Sequence, residues 1–308
     1  MALAEPLVLD DSGGSRELVA LKQALAARGW REAREILAGQ HGGARTRLIG
    51  WAAPLVSRPF LEEVHAADPG DTAAAAMLAT RIIGDAWAIR TSKRASEVSA
   101  ERFASFHAVL REAEKLLEAT IAIDPTDPAV LTCRLTTARG LELGLDEARS
   151  RYAAVAAVDP HHLPAQDQLL QQLAPKWGGS LEEMHAFARE SATAVPEGAH
   201  NGVLAAQAYF EHWATVDGRR RAVGRATLAA LREAADRSVL SPAFPRTPGW
   251  VGVANMFAWV LMLAHEYRRA YGVFGVAGTW VSQQPWQGDL DTFRGCRGKA
   301  GVMRLVHR

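Results

Sequence analysis

Apolar residues recur three and four positions apart along most of the chain, which is the period of an α-helix that buries one face. Leu18, Leu21 and Leu25 mark one such face, and a second helix follows Gly29. Further helices are predicted over 46–56, 60–67, 72–90, 100–122, 163–176, 181–194, 199–216, 221–239, 250–267, 268–277 and 290–307. No segment shows the strict alternation that is typical of a strand. The pattern predicts an all-α protein.

The segment 124–160 predicts a helix, a short turn and a second helix, with an Asp-Pro pair at each end. Asp124-Pro125 recurs about 35 residues later as Asp159-Pro160, and Pro196 follows after a similar interval. A period of this length is typical of repeated helical hairpins. Because each hairpin must bury an apolar face against its neighbours, one such unit predicts others beside it.

The central unit resembles a tetratricopeptide repeat (TPR). With Pro160 at the terminal proline of the repeat, Ala148 takes the small position of the second helix and Tyr152 its bulky aromatic position. Leu135 then takes a core position of the first helix. The segments KWGGSLEEMHAFAR and ANMFAWVLMLAHEYRRAYGVF are also similar to those of uncharacterised actinobacterial proteins with TPR-like folds. The resemblance implies an α-α superhelix, a TPR-like solenoid of helical hairpins, and it implies no activity.

Four regions are predicted from these patterns. Residues 1–14 form a flexible N-terminus, with Ser12, Gly13 and Gly14 just before the first helix. Irregular helical hairpins follow over 15–98, and TPR-like repeats over 99–277. Residues 278–308 form a loop and a helix that caps the stack.

Composition restricts the cellular setting and the partners. The net charge of +1 provides no general attraction to nucleic acid or to a membrane surface, and the basic turn 219–221 is more typical of a solvated turn. The longest apolar run, 251–264, is shorter than the about 20 residues that span a bilayer. The two cysteines are far apart, and no secretory signal precedes the first helix. We therefore expect a cytoplasmic protein without nucleic-acid or membrane partners.

The resemblance also implies a binding surface, because the first helices of successive TPR hairpins line a concave face that usually binds peptides. By repeat register, Asn255 and Trp259 fall on that face in the last hairpin, with Met262 one turn further. An amide beside aromatic surface suits a peptide backbone or a flat ligand. The alternative is packing, in which Trp259 belongs to the core and Asn255 bonds a neighbouring backbone group.

The other candidate side chains also have a functional and a structural interpretation. Cys133 faces the groove by register and is either a reactive thiol or a small buried side chain. Trp213 and His212 lie in the second half, which holds most of the tryptophans. Those tryptophans either line a hydrophobic ligand pocket or fill gaps between helices. A metal site assembled across helices from histidines is a further alternative, and its members would be His185, His200, His212 and His265.

Local catalytic and cofactor motifs are absent from the sequence. There is no GxSxG, no GxxxxGK[ST], no HExxH, and no GxGxxG after a predicted strand. We therefore expect no catalytic residue, no cofactor and no metal. The first hypothesis is a non-catalytic interaction protein that binds a peptide or protein segment in the concave groove. The second is a small-molecule-binding protein, or an enzyme of a specialised pathway, with a tryptophan-rich pocket in the C-terminal half. A homodimer is compatible with either.

Overall fold

The computed structural model describes residues 6–91, 98–219 and 223–306. Over these ranges nearly all regular structure is helical, so the all-α prediction is confirmed. The helices are α1 Arg16–Ala26, α2 Trp30–Ala38, α3 Gly42–Ala52, α4 Arg58–Ala67, α5 Thr72–Arg90, α6 Ala100–Ile123, α7 Pro128–Gly140, α8 Leu145–Val158, α9 Leu163–Leu173, α10 Leu181–Thr193, α11 Val203–Thr215, α12 Arg225–Arg237, α13 Trp250–Leu263, α14 Tyr267–Ala277 and α15 Leu290–Val306. Part of the predicted loop at 91–99 and of the basic turn at 219–221 lies outside the described residues.

Two compact units divide the chain. The N-terminal unit comprises residues 15–172, and the C-terminal unit comprises residues 1–14 together with 173–308. The division falls inside the predicted repeat region 99–277.

Helix α5 lies at the centre of the N-terminal unit and packs against α3, α4, α6 and α7. Its alanine-rich first turns are buried on all sides, as a helix that is apolar all round requires. Asp71 caps the helix, because its carboxylate accepts the backbone N–H groups of Ala73 and Ala74.

The predicted central hairpin is α7 and α8, which pack against each other. Asp127 caps α7 through the N–H of Ala129 and also accepts a 2.9 Å bond from Arg45 on α3. On α8, Ala148 is buried, as its small side chain at the helix contact requires, and Leu135 of α7 is buried as well. The hairpin therefore contributes to the interior of the unit from both of its helices.

In the C-terminal unit, helices that are close in the sequence also pack together. α10 contacts α11, α11 contacts α12 and α13, and α14 contacts both α13 and α15. Trp286 is the centre of an aromatic cluster with Phe274, Phe293 and Trp259. In the described part of the chain, no helix has the length and apolar character needed to cross a bilayer.

A short parallel β-pair joins the N-terminal segment to this unit. Strand β1 (Val8–Leu9) pairs with β2 (Trp280–Val281), and the N–H of Asp10 also donates to the carbonyl of Val281 at 2.9 Å. The sequence pattern predicts no strand and a flexible segment over residues 1–14. Two-residue strands carry too few positions for alternation to be recognised.

Candidate functional site

A groove of about 300 Å³ lies between α10 and α12 in the C-terminal unit, with α11 below it. Its lining residues recur at helical spacing on both walls, over 182–193 of α10 and 226–237 of α12. At about 1.5 Å per residue, each wall is roughly 16 Å long. The groove therefore runs along about three turns of both helices.

Local sequence signals position the two walls. Ser180 caps α10 by accepting the N–H of Glu183, and Glu182 adds a carboxylate to the favourable first turn. After α10 the chain turns at Gly198, where φ is +84° and an added Cβ would lie 2.4 Å from the carbonyl oxygen of Ala243. The N–H of Gly198 donates to the carbonyl of Arg237 at 2.7 Å. This bond holds the C-terminal ends of α10 and α12 side by side.

The floor of the groove is made of methyl groups. Half of the lining residues are alanine: Ala186, Ala188, Ala192, Ala205, Ala226, Ala230 and Ala234. Ala188, Ala205 and Ala234 are buried, whereas Ala186 and Ala226 remain exposed. Because alanine has no side chain beyond Cβ, another helix or chain segment can approach this floor closely.

Charged and polar groups form the rim. Glu182, Arg189, Glu233 and Arg237 line the groove, and the first three are exposed. Among the described residues, none of these four side chains forms an ion pair, although Arg237 donates to the carbonyl of Val195. The rim thus presents two charges of each sign that a bound segment can complement.

A pair of histidines lies at the N-terminal end of the α10 wall. Nε2 of His185 and Nδ1 of His212 are 2.9 Å apart, which joins α10 to α11 by a hydrogen bond between two imidazoles. Both rings are half-buried. One ring donates and the other accepts, so the bond needs no charge on either ring.

Burial keeps this pair neutral. Desolvation, followed by the neighbouring His212 and Arg189, lowers the pKa of His185 to about 4. Burial also lowers the pKa of His212 below its ordinary value. At neutral pH both rings therefore retain a lone pair.

The residues predicted for the last hairpin lie elsewhere in the unit, away from this groove. Asn255 is fully buried; its Nδ2 donates to the carbonyls of Val251 and Trp280, and its Oδ1 accepts the N–H of Trp286 at 2.6 Å. Trp259 is partly buried against the ring of Trp286, and its own buried N–H has no partner among the described residues. Met262 is also buried. Asn255 thus bonds neighbouring backbone groups, and Trp259 packs on Trp286 while it remains partly exposed.

Cys133 lies in the N-terminal unit, and its thiol is 3.4 Å from the hydroxyl of Thr80. Desolvation by burial raises its pKa to about 11, so the thiolate that a nucleophile requires is scarce at neutral pH. The side chain is partly buried and packs against the hydrophobic core of this unit.

Trp213 and His212 occupy neighbouring positions at the end of α11. Trp213 is half-buried and stacks on Phe210, with the chain passing close to its ring at Gly218. Of the two, His212 contacts the groove through His185.

The structure joins two of the four histidines considered for a metal site. His200 bonds the carbonyl of Pro245, and His265 stacks on Tyr267. His185 and His212 meet each other. Within the described ranges, no three histidine, cysteine or carboxylate side chains converge as metal ligands.

The groove is not among the features predicted above, although small residues at helical spacing mark it in the sequence. Ala226, Ala230 and Ala234 follow each other one turn apart on α12, and Glu182, Ala186 and Arg189 do so on α10. Because of its helical spacing, a stripe of alanines predicts a helix face that packs against a neighbouring helix. Whether that neighbour is present is decided by tertiary structure.

No protein-family model matches the chain, and a search of curated proteins finds no similar sequence.

Proposed function

We propose that this protein is a non-catalytic interaction protein that binds an amphipathic helix of a partner protein in the groove between α10 and α12. The observation that supports this most strongly is the shape of the groove, two helical walls about three turns long above a floor of methyl groups. A helix of about three turns matches that length, and small residues permit close helix approach.

Charge supports the same occupant. Each wall carries one acidic and one basic rim residue, Glu182 and Arg189 on α10 and Glu233 and Arg237 on α12. An amphipathic helix carries its charges on both flanks of its apolar stripe. A partner helix with small apolar residues on one face, and acidic and basic residues beside them, would complement this rim. Such contacts give specificity and weaken at high salt.

We further propose that the successive hairpins are TPR-like and belong to an α-α superhelix in the cytoplasm. Support comes from the recurrence near 35 residues and from the buried Ala148 at the small position of its hairpin. On this interpretation α10 and α12 are the second helices of successive hairpins, so the groove between them differs from the concave face of first helices that the resemblance implies.

The small-molecule alternative has less support. It relied on a tryptophan-rich pocket, whereas Trp250 and Trp286 are buried in the fold and the residues that line the groove include no tryptophan. The groove volume of about 300 Å³ is at the lower end of the range for small-ligand sites.

The test is a selection of binders from a display library of helical peptides, followed by fluorescence anisotropy on single peptides. Ala230→Trp fills the groove, and Ala229→Trp adds the same ring to the exposed neighbouring position outside it. We expect selected peptides to bind wild type and Ala229→Trp equally. Ala230→Trp should weaken them at least about tenfold, or about 1.4 kcal/mol.

Three outcomes would contradict the proposal. The first is equal binding by Ala230→Trp, and the second is selection of extended peptides only. The third concerns the possible homodimer: if light scattering finds a wild-type dimer that Ala230→Trp dissociates, the occupant is a second copy of this chain and not a partner protein.

A further inference from the structure

A second cavity lies in the N-terminal unit, where the end of α1 meets the end of α3 and the start of α4. Its volume is about 370 Å³, and its lining combines an apolar wall with two cationic side chains. We infer that this cavity binds a small carboxylate with an apolar body, such as a medium-chain fatty acid. The inference does not rest on the proposed function, because the groove between α10 and α12 lies in the other unit.

The wall of the cavity is apolar, and the volume sets the size of the ligand. Leu25, Val56 and Phe60 are buried and line it from α1, from the segment after α3 and from α4. Leu55 lines it as well but is 63% exposed, so a ligand that covers this side chain removes further apolar surface from water. At about 30 Å³ per water-sized group, the volume admits roughly a dozen non-hydrogen atoms. The cavity therefore suits a short alkyl chain or one aromatic ring.

The charges of the lining favour an anion. Lys22 and Arg28 both line the cavity, and no acidic residue does so within the described part of the chain. Lys22 is exposed and forms no ion pair with another described residue. The hydroxyl of Ser57 also lines the cavity and does not cap α4, so it is a further donor. A carboxylate is attracted by these groups, whereas a cation is repelled.

Arg28 is held at the cavity by two contacts. Its guanidinium lies 4.6 Å from the centre of the Phe60 ring and pairs with Glu63, which lies outside the lining. A guanidinium has five N–H donors, so one carboxylate partner leaves donors for a second. Both members of the pair are exposed, and an exposed ion pair is weak enough for a bound carboxylate to compete with it.

The backbone of Arg28 provides a variant that separates binding from folding. Its φ of +56° lies in the left-handed region, which glycine adopts without strain. Arg28 follows the C-cap of α1, a position that glycine commonly occupies. Arg28→Gly therefore relieves backbone strain while it removes the guanidinium. We expect this variant to melt close to wild type or above it, and to lose affinity for the ligand.

The experiment titrates octanoate into the full chain by isothermal calorimetry and repeats the titration with three related probes. Octan-1-ol and octylammonium keep the alkyl chain and change the charge, whereas acetate keeps the charge and lacks the chain. We expect one equivalent of octanoate to bind, more weakly at high salt, and each of the other probes to bind at least about tenfold more weakly. Equal affinity for octanoate and octan-1-ol, or no stoichiometric binding of octanoate, would overturn the inference.

Charge variants assign the binding to this cavity. Lys22→Gln and Arg28→Gly should each weaken octanoate binding at least about fivefold. Lys115→Gln, which changes an exposed lysine of the same unit outside the lining, is the control and should bind as wild type does. Glu63→Gln removes the competing carboxylate and should increase the affinity, which a variant that only damages the fold would not do. Unchanged affinity in both Lys22→Gln and Arg28→Gly would locate the ligand elsewhere and overturn the inference.

Discussion

Asn255 shows how one polar residue can organise an apolar region. Its amide joins α13 to the carbonyl of Trp280 and to the indole N–H of Trp286, all inside the C-terminal unit. A buried amide is stable only if its donors and acceptors are satisfied, and here the fold satisfies them. The amide that the repeat register placed on a binding face therefore forms its hydrogen bonds within its own unit.

Replacement of Asn255 should destabilise the protein. In Asn255→Ala the N–H of Trp286 and the carbonyl of Trp280 lose their partner, and each orphaned group costs about 1–3 kcal/mol. We expect the free energy of unfolding to fall by at least about 2 kcal/mol, measured by urea denaturation with tryptophan fluorescence. Arg268→Ala, at an exposed position of α14, is the control and should change it by less than about 0.5 kcal/mol. Equal stability of both variants would contradict the role of this amide.

At the scale of elements, an ion network joins three helices of the N-terminal unit. Glu114 on α6 pairs with Arg151 on α8 at 2.8 Å and with Arg134 on α7 at 3.1 Å. Burial alone would raise the pKa of Glu114. Hydrogen bonds from Arg151, Thr137 and Arg134 outweigh burial, so its pKa lies below the ordinary value. The carboxylate thus stabilises the packing of α6 against the α7–α8 hairpin.

This network predicts a dependence of stability on pH. Because the folded pKa of Glu114 is lowered, its contribution is complete above its unfolded pKa of about 4.3 and is lost as pH falls through the folded value. Glu114→Gln should lower the free energy of unfolding at pH 7 by about 1–3 kcal/mol. This difference in free energy between the variant and wild type should become smaller towards pH 3.

The control for that experiment is on the same helix. Glu118→Gln removes a carboxylate that also contacts Arg134 but is largely exposed, so its effect should stay within about 1 kcal/mol. Denaturation curves at several pH values measure both variants. If the difference in the free energy of unfolding between Glu114→Gln and wild type stayed constant across this pH range, the carboxylate of Glu114 would have the same pKa in the folded and unfolded states.

At the scale of the whole molecule, residues near the start of the chain belong to the C-terminal unit. Beyond the β-pair, the N–H of Gln283 donates to the carboxylate of Asp11 at 2.9 Å. Gly13 has a φ of +62° and lies so close to Trp250 that an added Cβ would be 2.5 Å from its indole nitrogen. This segment therefore covers part of the tryptophan-rich region.

Deletion of residues 1–14 should destabilise the C-terminal unit and expose tryptophan. We expect a lower melting temperature and a red shift of the emission, because Trp250 and Trp280 lose the contacts with Gly13 and Gly14. Deletion of residues 1–5 removes none of these contacts and is the control. Gly13→Ala should act in the same direction as the long deletion, since alanine strains at this φ. Identical melting of the two deletions would contradict the prediction.

The helices and their ends were largely predictable because they depend on local chemistry. The 3.6-residue period identifies the apolar faces. The hydroxyl groups of three serines cap their helices, as serine favours: Ser15, Ser99 and Ser180. Asp71 caps α5 in the same way, directly before the first residue of the helix predicted over 72–90. Glycine and proline mark the ends of helices. The β1–β2 pair was missed, because its two strands are brief and distant in sequence.

By itself, the sequence determined that the chain is helical, where most helices begin and end, and which faces are apolar, because these properties follow from neighbours a few residues apart. Tertiary structure alone decided which apolar or polar groups remain available. It buried Asn255, partly buried Cys133, placed His185 against His212, and left an alanine floor open between α10 and α12. Contacts of that kind join residues from different helices, and the period of one helix contains no information about the distance to another.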